Sequence, residues 1–258
     1  KEIKKCAENG ITEITEVKIG YDGIVIANSK NSQQMKIDRK HIWLALGKNV
    51  MIDRKIITNP HKTWKDIDPS LPNQKIEVLG PPPTSGTRDA FAELALEGGC
   101  KKFDSIKAMK KTAKEVFKKL CHTIREDGAY IEAGENDNLI IAKLEENLKA
   151  FGVFGYSFLD QNKDKLQGSI VEGSIPTFEN ISSGKYSVSR SLYFYIKNAH
   201  VNKIPGISEY VAEFTSEKSF GASGYLQEKG LIPSPDAERA EVRINALGLS
   251  LAWLSDFN

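Results

Sequence analysis

The sequence predicts an α/β protein, and three observations carry that prediction. Short apolar runs with the two-residue rhythm of strands alternate with stretches of helical spacing. That alternation argues for largely parallel sheets flanked by helices. With 258 residues, 40% of them hydrophobic and 27% charged, the chain can fill one large core or two smaller ones.

The elements follow in order. Residues 11–28 read as two short strands separated by Gly20 to Gly23. Asp38 is placed to cap a helix whose apolar side is Ile42, Trp43, Leu44 and Leu46. A loop rich in Pro and Asn carries Pro60, Pro69 and Pro72. Residues 75–79 are a buried strand, 80–86 a loop, and from Thr87 a helix runs until Gly98-Gly99 stop it. A long Lys-rich helix spans about 105–125, with Val116, Phe117, Leu120 and Ile124 on its apolar side. Another helix covers Asn138 to Leu148. Strands are expected at 152–159, 168–172 and 186–197, and the last 60 residues are mostly helical between Gly/Pro loops.

Charge and cysteine content narrow the function. The balance of 36 Lys+Arg against 34 Asp+Glu leaves a net charge of +2, and the basic residues are scattered, without the polybasic stripe that a nucleic-acid or membrane-surface binder needs. The Lys-rich helix reads as a solvated amphipathic face; a docking surface for a transporter or an acidic partner is the alternative. No apolar run approaches the ~18 residues of a membrane span. The opening residues KEIKKCAENG lack the apolar core of a signal peptide. Cys6, Cys100 and Cys121 form no CxxC, and four scattered histidines complete no zinc set, so neither metal nor cofactor is expected.

One stretch carries chemistry: Lys75 to Phe91, KIEVLGPPPTSGTRDAF. A strand feeding a proline-stiffened loop and then a helix aims the helix's unpaired N–H groups and positive dipole end at one point. Gly86 admits a ligand close to the backbone, Ser85 and Thr87 add hydroxyls, and Arg88 is a two-pronged donor for an oxyanion. Five residues separate Gly80 from Gly86, and Thr-Arg stands where a nucleotide P-loop needs Lys-Ser/Thr, so this is no P-loop. From the residues alone two uses stay open: an anion cradle, or a capped helix start with Arg88 in solvent. Ser182 to Lys185 matches Ser-x-x-Lys, but the companion Ser-Asp-Asn and Lys-Thr-Gly are absent and a turn is the simpler reading.

PPPTSGTRDAF resembles the anion-binding segment of periplasmic phosphate-binding proteins, the receptors of phosphate ATP-binding-cassette importers. The resemblance extends through GYDGIVIANS (20–29), HKTWKDIDPSLPNQKIEVLG (61–80), AYIEAGENDN (129–138), AFGVFGYSFL (150–159) and YSVSRSLYFYIKN (186–198). It implies a two-lobe type II periplasmic-binding-protein fold, with residues 1–27 and 197–258 in one lobe and 28–196 in the other. Two crossing strands would act as the hinge. It further implies non-covalent capture of inorganic phosphate by Ser85, Gly86, Thr87 and Arg88, without catalysis, and delivery to a membrane permease by a periplasmic monomer.

Some members carry a binding arginine a few residues ahead of Ser-Gly-Thr. Here Pro81-Pro82-Pro83 stand there, which leaves Arg88 as the charged partner. Asp89 would orient Arg88 or stand as an exposed acid at the helix start, and Asp22 would touch the cleft or serve the turn before Gly23. The family also has a preceding stretch with further ligands, including an acidic residue that accepts the phosphate proton. A Cys100–Cys121 disulfide suits an oxidising compartment, with three reduced thiols as the alternative; the partner of Cys6 is then expected in that preceding stretch. The rival functions are a receptor for sulfate or another oxyanion, an enzyme of phosphoryl or acyl transfer, and an adhesion role.

Overall fold

The computed structural model describes residues 2–134 and 136–251. The chain opens with helix α1 (Glu2–Glu8) and a long strand, β1 (Ile14–Ser29). Strand β2 (Lys36–Ile37) leads to α2 (Arg39–Leu46), the hairpin β3 (Asn49–Ile52) and β4 (Lys55–Thr58), α3 (Trp64–Ile67) and β5 (Val78–Gly80). Helix α4 (Gly86–Phe91) passes through a π-helical turn at Ala92–Leu96 into α5 (Glu97–Cys100). There follow α6 (Asp104–Thr112), α7 (Lys114–His122), β6 (Tyr130–Glu132), α8 (Asp137–Glu146), β7 (Phe151–Gly155) and α9 (Tyr156–Gln161). Beyond them lie β8 (Leu166–Gly168), β9 (Ile170–Val171), α10 (Phe178–Ser182) and β10 (Ser189–Lys197). The remaining helices are α11 (Ile207–Phe214), α12 (Glu217–Phe220), α13 (Tyr225–Glu228) and α14 (Asp236–Leu247).

The chain divides into two compact units, Lys1–Asp22 with Arg190–Asn258, and Gly23–Ser189. In the larger unit, β5 runs parallel to β6 on one side, with Gly80 opposite Glu132, and parallel to β7 on the other, with Leu79 opposite Gly152. The far half of β1 is antiparallel to β7 and to β8. Val25, Leu79, Ile140, Leu144, Phe154 and Leu166 fill the core under this sheet. Burial of each such side chain is worth about 1.5–3 kcal/mol. Because β5, β6 and β7 are parallel, their carboxyl ends share one edge, and α4, α8 and α9 all begin just beyond it. That edge is where open α/β sheets hold ligands. In the smaller unit Val17, Ile196, Val211 and Ala246 form the core, and Phe194 meets Phe214 edge-on at 5.2 Å.

Several sequence expectations change. Residues 14–29 are one continuous strand, not two. Gly20 marks a close approach rather than a turn: Tyr21 and Ile232 exchange backbone hydrogen bonds of 2.7 and 3.0 Å, and a Cβ on Gly20 would sit 2.5 Å from the Ile232 carbonyl oxygen. The β3–β4 hairpin went unread because its turn is Asp53-Arg54, at φ 48 and 63, without the usual glycine. Tyr156 to Leu159 are helical; burying Leu159 against the sheet outweighs the strand preference of the aromatics. The strand expected at 168–172 is split between β8 and β9. The helix from Asp38 forms as read, with the Asp38 carboxylate accepting from the His41 N–H at 2.9 Å.

Gly98 and Gly99 do not stop the helix but lie inside its last turns. They let α5 press against α2, since a Cβ on Gly99 would fall 1.8 Å from the Arg39 carbonyl oxygen. The expected Lys-rich helix is broken at Ala113 into α6 and α7, and Val116 is 57% exposed rather than on the apolar side. Ala113 is a good helix former, so the break is tertiary. Cys121 is disulfide-bonded to Cys100 with their Cα atoms 5.5 Å apart. A straight helix from Asp104 would carry Cys121 about 25 Å away. Cys6 is half-buried and free.

The disulfide encloses a loop with sequence separation 21. Cys121→Ser is expected to cost about 2 kcal/mol, the low end of the usual range, in a denaturant titration. The loss is held down because His122 Nε2 also lies 2.7 Å from Glu97 Oε2, tying the same helices. Burial alone would raise the Glu97 carboxyl, but hydrogen bonds from His122, Lys110 and Lys101 outweigh it and hold it at about 2, against 4.5 ordinarily. A depressed folded-state value means that this stabilisation is complete above pH 4.5 and lost as the pH falls toward 2. Thermal melts of Glu97→Gln against wild type across that window should converge at the acid end. Parallel curves would show that Glu97 contributes nothing through its charge.

Candidate functional site

The expected anion segment sits at the carboxyl edge of the larger unit's sheet. After Gly80, the turn Pro81 to Ser85 closes with the Ser85 N–H donating to the Pro82 carbonyl at 3.0 Å. Ser85 then caps the helix: its hydroxyl accepts from the Thr87 N–H at 3.2 Å and its carbonyl from the Asp89 N–H at 3.2 Å. The Gly86 and Arg88 N–H groups donate to no protein acceptor among the described residues. They are the orphan donors of a helix start. Gly86 is exposed, and a Cβ there would meet nothing within 4 Å. The helix continues without interruption to Cys100, so its dipole is longer than α4 alone provides.

Arg88 is held on three sides. Its Nη1 donates to the Pro81 carbonyl at 3.3 Å and to Glu132 Oε1 at 3.0 Å, and its guanidinium lies over the Tyr130 ring, 4.9 Å from the centroid. The side chain is only 15% exposed. Tyr130 is itself fixed by donating to the Pro81 carbonyl at 2.7 Å, and Gly80 leaves it room, since a Cβ there would lie 2.2 Å from the hydroxyl. Burial pushes the Tyr130 hydroxyl up to about 12, so it stays a neutral donor. Locked in this way, the guanidinium would lose little entropy on meeting an anion.

Ser85, Gly86, Thr87 and Arg88 therefore lie together on one turn. Asp89 is exposed on that turn, and the carboxylate paired with Arg88 is Glu132, at the end of β6. Sequence reasoning missed Glu132 and Tyr130; only the parallel pairing of β5 with β6 brings them beside Arg88. Asp22 belongs to the other unit and accepts from Arg190 Nε at 3.3 Å. Burial pushes its carboxyl above the usual range, against the pull of that guanidinium. Ser182 donates to the Glu179 carbonyl at 3.4 Å. Among the described residues, no cluster of three His, Cys, Asp or Glu is placed to hold a metal, and no helix is long and apolar enough to cross a membrane.

The class this fold defines is the PBP superfamily: a family model described as a PBP superfamily domain matches residues 1–218, and the chain belongs to that superfamily. The particular relatives are narrower. The chain is 28% identical over 240 residues to the phosphate-binding protein PstS of Staphylococcus haemolyticus, covering 91% of this chain and 63% of the relative. It is 29% identical over 243 residues to the PstS of Staphylococcus epidermidis, covering 91% and 61%. The chain thus spans a little over three-fifths of the length of these relatives. Among solved structures it resembles a possible phosphate-binding protein from Planctomyces limnophilus, with TM-score 0.70, 20% identity, and coverage of 96% of this chain and 77% of the other. It also resembles a putative phosphate transporter substrate-binding protein from Clostridium perfringens, with TM-score 0.53, 22% identity, and coverage of 90% and 83%. The type II fold implied by the sequence is the fold of these neighbours.

Proposed function

We propose that this chain captures inorganic phosphate non-covalently, with Ser85, Gly86, Thr87 and Arg88 as ligands. The observation that carries the reading is the conjunction, on one turn, of unpaired N–H groups at Gly86 and Arg88 with an Arg88 guanidinium immobilised by Pro81, Glu132 and Tyr130. The relatives, known as phosphate-binding proteins, favour phosphate over other oxyanions. On the same reading, residues 1–27 with 197–258 and residues 28–196 are the two lobes. The bound anion would pass to the membrane permease of an ATP-binding-cassette importer, and the protein would work outside the cytoplasm as a monomer. No chemical step is proposed: neither Ser85 nor Ser182 is hydrogen-bonded to a histidine among the described residues.

Glu132 bears on the sulfate alternative. A carboxylate beside the guanidinium repels any fully deprotonated oxyanion, whereas monohydrogen phosphate has an O–H to donate to it. Calorimetric titration of phosphate and of sulfate into the full-length protein tests both points. Phosphate is expected to bind at micromolar Kd or tighter, about −8 kcal/mol or better. Absence of heat with phosphate would end the reading. Glu132→Gln should narrow the gap between the two anions; an unchanged ratio would remove Glu132 from selectivity.

A further inference from the structure

The whole-chain charge conceals one concentrated surface. Residues 101–119 carry eight lysines against Asp104 and Glu115, so the rest of a chain of net charge +2 is net acidic by four. In the structure this segment is the α6–α7 hairpin, and the Cys100–Cys121 disulfide closes it at its two ends. Ile106, Phe117 and Leu120 are buried, while Lys107, Lys111, Lys114, Lys118 and Lys119 are exposed. Lys110 lies 5.8 Å from the Phe117 ring centroid, which sets the α6 lysines next to α7. Glu97 pairs with Lys101 and Lys110, and Glu172 pairs with Lys102. The five exposed lysines make no ion pair among the described residues.

Such a surface is costly to the fold. Lys107 with Lys111 and Lys114 with Lys118 are like charges one helical turn apart, an arrangement that weakens a helix. The disulfide and the Glu97–His122 contact tie α7 to α5, and buried Ile106, Phe117 and Leu120 pack the hairpin. Asp104 and Glu115, at helical spacing from Lys107 and Lys118, offset only part of that repulsion, and departures of this kind are expected at functional or strained sites.

The chemistry of the residues selects the partner. Every cation in the segment is Lys and none is Arg, and the one exposed large apolar side chain among them is Val116. Protein interfaces are depleted of Lys and enriched in Arg and aromatics. Hydrated point charges on flexible stems suit a diffuse anionic sheet. We propose that the α6–α7 hairpin docks on an anionic phospholipid surface, its lysines over the headgroup phosphates and Val116 at the headgroup boundary. This reverses the sequence expectation that the basic residues are too scattered for a membrane surface, since eight lysines fall within residues 101–119, and it holds whether or not the anion site takes phosphate.

The test is co-sedimentation of the full-length protein with vesicles of phosphatidylcholine alone or mixed with phosphatidylglycerol, at low salt. Binding is expected only to the anionic vesicles, and is expected to vanish at about 0.5 M salt, where screening acts within about 4 Å. Replacing Lys107, Lys111, Lys114 and Lys118 together by Gln should weaken it at least about 30-fold, since each lysine near an anionic surface contributes substantially. Equal binding to both vesicle types, or a quadruple variant that binds like wild type, would overturn the proposal. So would tighter binding to duplex DNA or poly-glutamate than to the vesicles, which would assign the patch to another polyanion. The lipid and salt dependence of the wild-type protein decides the matter even if the variant fails to fold.

Discussion

Arg88→Ala is expected to weaken phosphate binding by about 1.5–3 kcal/mol, the scale of a hydrogen bond to a charged group. That is about 10- to 150-fold in Kd. The size follows from how the guanidinium is held: Pro81, Glu132 and Tyr130 fix it before any ligand arrives. Lys in its place would keep the charge but lose the planar fork and much of the stacking, so Arg88→Lys should recover only part of the affinity. Gly86→Ala separates site from fold. Its Cβ meets nothing within 4 Å and its φ is not left-handed, so the melting temperature should not move. A ligand seated against the Gly86 backbone would nevertheless be pushed away. Calorimetry paired with thermal melts reads both variants. If Arg88→Ala binds like wild type, the guanidinium is no ligand; if Gly86→Ala does, the anion does not sit on this helix start.

Gly99→Ala should be the most damaging single-methyl change in the larger unit. The added Cβ would fall 1.8 Å from the Arg39 carbonyl oxygen and 2.4 Å from its carbonyl carbon, and both are backbone atoms of α2 that no rotamer change can move. Overpacking of this kind costs about 1–3 kcal/mol where side chains yield. Here α2 itself must shift, and α2 carries Ile42, Trp43, Ala45 and Leu46 in the core. A cost of about 3 kcal/mol or more is expected, which for a chain of this size lowers the melting temperature by roughly 10 °C. A melt within a few degrees of wild type would mean that α2 and α5 are not in the contact described here. Gly86→Ala, measured alongside, controls for any general effect of replacing glycine.

Much of the local structure was legible. Asp38 followed by apolar residues at helical spacing describes a capped helix wherever it occurs, because cap and stripe are both short-range. Ser85 before Gly-Thr-Arg likewise describes a helix start with unpaired donors. Gly98-Gly99 and Gly20 were misread for one shared reason. A glycine that breaks an element and a glycine that lets two elements touch look the same in sequence. What differs is the neighbour, Arg39 in one case and Ile232 in the other, each more than 50 residues away.

The division between sequence and tertiary structure is sharpest at the anion site and the basic hairpin. The sequence by itself determined the α/β class, the turn that exposes the Gly86 and Arg88 N–H groups, and the presence of a guanidinium one residue past Thr87. Only the tertiary structure decided what that guanidinium does. Parallel pairing of β5 with β6 sets Gly80 opposite Glu132, and so delivers a carboxylate and an aromatic ring to Arg88 from some 40 residues along the chain. The same holds for the lysines. Their number was plain in the sequence, but the chain turns back at Ala113 between α6 and α7, with Cys100 and Cys121 bonded across the ends of the segment. Spacing along a chain encodes neighbours within a turn or a strand. Which distant groups meet is set by how the elements bury their apolar faces, and that is a property of the packed whole.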